Sequence, residues 1–392
     1  MSTQGHERLS HLKQYKVEGS NVEFVGSKID HQVKHKSSDT EPAWKRNGGV
    51  GGEQGLLVWR VEDFEVKEWP TSRYGTFYDG DSYIVLRTFK SSADSDRLSN
   101  EIFFWLGSET TMDEVGTAAY KTVELDEFLN GAAVQYREVQ GSESPHFLSL
   151  FPKLTLLKGG FASGFRHVTP EETSVLRLLR ISSPAGGGPR GIIVREVEPS
   201  WKELNENDCF LLDEGRRIRS WHGKNSSPME KNKAAMVMAE LVSEKEGKAE
   251  TEVLAQTDSR SALFIQSLGG QPDSPISTSP SSSSSRIENA SRPRRLFRLS
   301  DSTGKLMFDL VKNGENVGLS DFHSEDCFVY DSGTQVFVWQ GSGSSRNERS
   351  MWLKVAQAYL GTLESGWATP IAKIIQGYET PAFKASLDVA VV

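Results

Sequence analysis

The sequence predicts an α+β chain in which one strand–strand–helix unit is used three times in tandem. Three observations carry this. Asp81, Asp208 and Asp326 each head a short apolar run rich in β-branched and aromatic residues. Trp105, Trp221 and Trp339 each close the run that follows, with a glycine close behind. Glu114, Glu230 and Glu348 each follow their tryptophan by 9 positions, at the start of a helix-like stretch. The Asp-to-Glu interval is 22 in the two later copies and 33 in the first, and the 11-residue excess matches a polar insertion at 90–100. Self-similarity of this kind is the signature of a repeated structural unit.

In chain order, residues 1–49 read as a polar N-terminal extension with a basic patch at Lys34, His35 and Lys36. The cluster Gly48, Gly49, Gly51, Gly52 and Gly55 that ends it lacks the Gly-Lys-Ser/Thr finish of a phosphate loop, so it reads as linker. Repeat one is expected over 50–168. It opens on LLVWRVEDF, continues in strands at 82–89 and 101–106, and carries a helix over about 112–129 that Asn130 and Gly131 would stop. Repeat two is expected over 169–270, with strands at 174–182, 207–213 and 217–223 and a helix at 228–243. The stretch 271–293, QPDSPISTSPSSSSSRIENASRP, reads as a Ser/Pro-rich linker. Repeat three is expected over 294–392, with strands at 294–301, 325–331 and 335–341 and a helix at 346–360.

Bulk properties narrow the function. The formal net charge is −8, which argues against general nucleic-acid binding and suits cations or a basic patch on a protein partner. No apolar run approaches 18 residues, and MSTQGHERLSHLKQYK lacks the apolar core of a signal peptide. The two cysteines, Cys209 and Cys327, hold the same position in two repeats, so they are expected as separate buried thiols in a reducing compartment. Gly-x-Ser-x-Gly, Walker and Cys-x-x-Cys motifs are absent, so an enzyme is not expected.

The repeated carboxylates have two readings. Thr111, Ser227 and Ser345 stand three residues before Glu114, Glu230 and Glu348, which is the capping-box pattern of a helix start. The aspartates add something a cap does not need, because a carboxylate at the head of a buried strand calls for a turn or a cation. Two carboxylates joined by backbone carbonyls form a hard oxygen shell that suits Ca2+, although no EF-hand loop is present.

The three helices differ. Helix two (Ala234, Val237, Met238, Leu241) and helix three (Trp352, Val355, Ala356, Tyr359, Leu360) each carry one apolar stripe. Helix one carries two. Val115, Ala118, Thr122, Leu125 and Leu129 form the first. Gly116, Ala119, Tyr120 and Val123, bordered by Glu127, form the second. Neighbouring repeats or a partner groove could cover the second stripe. Asp126 lies between the two, where a partner carboxylate could share a cation with it. The tryptophans are expected in the core. The cluster Arg292, Arg294, Arg295 and Arg298 reads as a solvated linker, with acidic lipid or filament contact as the alternative.

The stretches EPAWK, LLVWRVEDFEV, RYGTFYDGDSYIVL, FFWLG, VELDEFLNGAAVQYREVQGSES, KGGFASGFRHV, NDCFLLD, EDCFVYD and ETPAF resemble the gelsolin superfamily, in particular its three-domain severin and fragmin members. The resemblance spans about residues 20–388. It implies gelsolin-like domains, each with a central mixed β-sheet flanked by a long and a short helix, and calcium-dependent severing and barbed-end capping of actin filaments. It also implies ligands. The Gly80 carbonyl, Asp81, Glu114 and the Phe161 carbonyl match one calcium site. Asp126 with the Gly131 and Ala133 carbonyls matches a second, completed by an actin carboxylate. The Asn207 carbonyl, Asp208 and Glu230 match a third, to which Glu288 is a candidate addition. The Glu325 carbonyl, Asp326, Glu348 and the Thr380 carbonyl match a fourth. The stripe with Tyr120, Val123 and Glu127 matches the helix that enters the actin cleft.

Departures are visible. Tyr120 and Lys121 stand where relatives often carry apolar residues. His222 replaces the disulfide cysteine of secreted members, in keeping with a cytoplasmic, cytoskeletal protein. The basic stretches for acidic phosphoinositides are thinned to PKLTLLK and RLLRISSPAGGGPR, which weakens that partner. A monomer is expected. Alternatives to severing are capping alone or a calcium-dependent scaffold.

Overall fold

The hairpins after Asp81, Asp208 and Asp326 are buried on both faces, which is why they read as continuous apolar runs rather than alternating ones. They sit in a computed structural model that describes residues 41–45, 49–90, 98–161, 176–183, 191–278, 292–304, 306–314, 316–363, 366 and 369–387. The patch at Lys34–Lys36, Glu288, and most of the 90–100 insertion, the 183–191 loop and the 271–293 linker lie outside these residues.

Repeat one contributes β1 (Gly55–Glu62), β2 (Glu65–Glu68), β3 (Thr76–Tyr78), β4 (Ser82–Lys90), β5 (Leu98–Leu106), α1 (Met112–Phe128), β6 (Val134–Val139), α2 (Pro145–Leu148) and β7 (Leu154–Leu157). Repeat two contributes β8 (Arg177–Ser182), β9 (Ile193–Val197), β10 (Cys209–Asp213), β11 (Arg217–His222), α3 (Pro228–Glu244), β12 (Glu250–Ala255) and α4 (Ser261–Ser267). Repeat three contributes β13 (Arg295–Ser300), β14 (Met307–Asn313), β15 (Cys327–Asp331), β16 (Val336–Gln340), α5 (Arg346–Ser350), α6 (Trp352–Leu360), β17 (Ile371–Ile375) and α7 (Pro381–Ser386).

All three helix starts carry both bonds of the capping box. Helix α1 stops where Asn130 and Gly131 take positive φ (65° and 68°) and the Gly131 N–H returns to the Asp126 carbonyl. The helix expected over 346–360 is in two pieces. At Met351 (φ −90°, ψ −3°) the N–H is shared between the Asn347 and Glu348 carbonyls, so one turn tightens before α6 resumes.

The unexpected feature is that the sheets run across repeats. One has ten strands in the order β14-β13-β15-β16-β17-β6-β5-β4-β1-β2 and joins repeats one and three. The other has seven, β12-β11-β10-β8-β9-β7-β3, and draws β7 and β3 of repeat one onto repeat two. In each repeat the strand after the long helix pairs in parallel with the hairpin: β6 with β5, β12 with β11, and β17 with β16. That strand ends its own repeat's sheet. In repeats one and three the two free edges meet antiparallel, with Ile371 opposite Arg137, Ala372 opposite Tyr136 and Lys373 opposite Gln135.

The tryptophans that recur in the three repeats are core. Trp105, Trp221 and Trp339 are buried, and their ring N–H groups hold the segment of the short helix through Glu143, Ser261 and Glu379. Cys209 and Cys327 are free and buried, and burial pushes both thiols up to about 12. His222 lies opposite Cys209 in the β10–β11 pair. The expected extension is part core as well. Trp44 is buried, edge-on to Trp59 at 5.1 Å, and donates to Glu124 of α1, while Glu41 pairs with Lys121.

Candidate calcium centres and the junction of repeats one and three

Each strand-head aspartate is buried and lies at one end of a pleated hairpin whose return loop is tied to it. The loop N–H groups of Gly107 and Glu109 bond the carbonyls of Asp81 and Asp79. Gly223 and Asn225 do the same for Asp208 and Glu206, and Gly341 and Gly343 for Asp326 and Ser324. The carbonyl between each pair belongs to Gly80, Asn207 or Glu325. Among the described residues no backbone hydrogen bond reaches these three. They are the carbonyls that the resemblance names as ligands.

The glutamates arrive from the helix side. Glu114 Oε2 accepts from Thr110 Oγ1 (2.9 Å) and the Thr111 N–H (3.2 Å). Glu230 divides its oxygens. Oε2 takes the Ser227 N–H at 2.8 Å, and Oε1 takes the Ser183 N–H, just past β8, at 2.9 Å. Glu348 repeats this with Ser345 (3.0 Å) and Asp301, just past β13 (2.9 Å). The capping reading is therefore correct, and it accounts for one oxygen of each of these two carboxylates. In repeats one and three like charges converge at the same points. Burial, and to a lesser degree Glu114, raise the Asp81 carboxyl above its ordinary range. Burial, with Asp301 and Asp326 nearby, does the same to Glu348. Among the described residues no group of three or more His, Cys, Asp or Glu side chains is gathered, so a calcium ion here would have to use two carboxylates together with the open backbone carbonyls.

The remaining expected ligands stand as follows. Phe161 presents its N–H rather than its carbonyl to Asp81 Oδ1, at 2.7 Å. Thr380 caps α7, accepting the Phe383 N–H, in the position Ser144 holds at α2.

Asp126 is fully engaged by three donors. It is buried, and Oδ1 accepts the Ala133 N–H at 2.9 Å. Oδ2 accepts Gln135 Nε2 at 2.6 Å and Lys373 Nζ at 2.9 Å. Lys373 belongs to β17, so repeat three places an ammonium where the second site was expected to hold a shared cation. Ala133 offers its N–H here, not its carbonyl. The second stripe of α1 is partly open. Gly116 is exposed, with empty space where a Cβ would stand, and Tyr120 is 39% exposed. Ala119, Val123 and Glu127 are half-buried, and Ala119 shares a cluster with Leu353 of α6.

Sequence reasoning missed the basic partners. Arg60, Arg180 and Arg298 sit beside Asp81, Asp208 and Asp326, and Lys373 beside Asp126. A signal for two of them was present: the interval from arginine to aspartate is 28 in both later repeats.

A thrice-used unit of this design, with carboxylate pairs at its hairpins, defines a class of repeat protein. A sequence profile of the gelsolin repeat matches residues 64–148, 190–265 and 316–384. The chain belongs to the gelsolin family. It is 40% identical to gelsolin-like protein 1 of Lumbricus terrestris over 97% of this chain and 98% of the relative. It is 37% identical to severin of Echinococcus granulosus over 90% and 92%. It is also 38% identical to gelsolin of Gallus gallus, over 86% of this chain and 42% of that longer protein.

Proposed function

We propose that this chain is a calcium-activated protein that severs actin filaments and caps their barbed ends. Its relatives named gelsolin and severin support the class. The observation that carries the reading is the pairing of Lys373 with Asp126 beside the open stripe of α1. Calcium, when bound, supplies a divalent charge that satisfies the convergent carboxylates of each repeat. Everything else is done by the chain. The β6–β17 pairing keeps Lys373 on Asp126 and α6 beside α1. Parting these strands removes the ammonium from a buried carboxylate, uncovers Ala119, and leaves α1 free to enter an apolar cleft on actin. Repeat two would hold the filament side. No bond is made or broken, so the work of severing comes from binding free energy that displaces actin–actin contacts. No helix among the described residues is long and apolar enough to cross a membrane. A cytoplasmic, cytoskeletal location is part of the proposal.

Imaging of labelled filaments after calcium addition tests it. Existing filaments should shorten in calcium and not in chelator. Growth arrest without shortening would reduce the activity to capping, and no effect on filaments would refute actin regulation. In pyrene-actin elongation, Asp126→Ala combined with Val123→Asp should abolish barbed-end capping. Undiminished capping would remove α1 from the actin interface.

A further inference from the structure

One basic residue recurs in all three repeats with no role yet assigned. Strand register places Arg60 opposite Tyr83, Arg180 opposite Phe210 and Arg298 opposite Phe328. Each of these aromatics stands two residues after its strand-head aspartate, so the three arginines are topologically equivalent. Their engagement is graded. Arg180 is buried and grips Asp208 Oδ2 with two nitrogens, Nε at 2.6 Å and Nη2 at 2.5 Å, and Asn205 Nδ2 joins them at 2.7 Å. Arg60 is 19% exposed and reaches Asp81 Oδ2 at 3.4 Å. It is shared with Glu62 and lies over the Trp69 ring at 4.9 Å. Arg298 is 43% exposed and stands 3.8 Å from Asp326.

We propose that these arginines are resident counter-cations. Each neutralises its aspartate in the metal-free chain and must be displaced or outweighed when calcium binds there, so each lowers the calcium affinity of its own repeat. This deepens the calcium reading above and rests on it. The effect follows from charge and geometry. A guanidinium within hydrogen-bond reach stabilises the ionised aspartate as a cation would, and two cations cannot share one buried carboxylate oxygen without repulsion. An exposed arginine can swing into water when the metal arrives. A buried one held by two bonds cannot leave without losing both. The penalty is therefore largest in repeat two, intermediate in repeat one and smallest in repeat three.

The test isolates one site at a time. Glutamine at the third helical position keeps a capping box, so Glu114→Gln with Glu348→Gln leaves repeat two as the one intact carboxylate pair. Glu114→Gln with Glu230→Gln leaves repeat three. Calcium binding is then read by titration calorimetry, without actin. Arg180→Gln in the first background should tighten binding about tenfold to a hundredfold, the size of effect a nearby opposite charge has on an aspartate. Arg298→Gln in the second should change it less than about threefold, as an exposed pair allows. Arg180→Gln leaves Asp208 unpaired and should melt lower in chelator, with the deficit closing in saturating calcium. Arg180→Lys keeps the charge but loses the two-nitrogen grip. It should fold normally and bind calcium with intermediate affinity, and it decides the matter if the glutamine variant fails to fold. Unchanged or weaker calcium binding in the Arg180 variants, or an equal gain at Arg298, would overturn the counter-cation role. Absence of calcium heat in both parent backgrounds would instead overturn the calcium reading itself.

Discussion

Replacing Lys373 by methionine keeps the length of the side chain and deletes its charge. Lys373 and Asp126 are 9% and 6% exposed, so the carboxylate would stay buried with the Ala133 and Gln135 hydrogen bonds alone. Removing one partner of a buried pair costs about 3–5 kcal/mol. That loss falls on the state with β6 and β17 joined, because parting the strands opens Asp126 to water. Taking the lower figure, the opening equilibrium should shift by about 150-fold, at about 1.4 kcal/mol per factor of ten. If three calcium sites share the work of opening, the calcium midpoint should fall by the cube root of that, about fivefold. A calcium titration of pyrene-filament depolymerisation measures the midpoint. Hydrogen exchange of the 135–137 and 371–373 amides in chelator reports the opening directly. A midpoint within about twofold of the parent, together with unchanged exchange, would refute the ion pair as the element that holds the repeats together.

Three further outcomes are expected. Burial raises Glu138 to about 8 from 4.5, so the folded chain holds a proton there that the unfolded chain releases. Its contribution is complete below pH 4.5 and is lost as pH rises through about 8, so Glu138→Gln should gain roughly 2–4 kcal/mol over the parent between pH 5 and 8.5 in thermal melts. Trp44→Ala empties a buried aromatic site between Trp59 and α1, and should destabilise the repeat-one transition by about 3–5 kcal/mol in urea followed by circular dichroism. With both thiols pushed up to about 12, Cys209 and Cys327 should be inert to a disulfide reagent in the native chain and should both react once it is denatured.

Much of the fold was legible because its determinants are local. The Thr111–Glu114 spacing sets a helix start within four residues, and Asn130–Gly131 ends the helix by backbone geometry alone. The aspartate-to-glutamate interval survives because hairpin and helix are consecutive. What was not legible depends on partners far along the chain. Asp126 was singled out for its place on α1, yet its counter-ion lies 247 residues away and is brought to it by strand pairing. The two sheets that cross repeats escaped for the same reason, because a strand's periodicity says which face is buried and nothing about which neighbour its edge meets.

Edge choice can nevertheless be traced to side chains once the register is known. Trp339 pairs with Ile374, and Trp221 with Leu254, so β12 has Val253 where β17 has Lys373, and Glu252 where β17 has Ala372. Placed against β6, β12 would therefore offer Asp126 no cation and would set a glutamate opposite Tyr136, a ring already beside Glu101. Carboxylates at 250 and 252 also guard that edge against pairing with a second copy, where like charges would face each other. In the described residues β12 pairs with β11 alone. Repeats one and three are joined because only their edges carry the complementary pair, and the same lysine that selects the partner neutralises the carboxylate proposed for actin. On the function proposed above, assembly of the closed chain and masking of the α1 face rest on one interaction, so a substitution that weakens one should weaken the other.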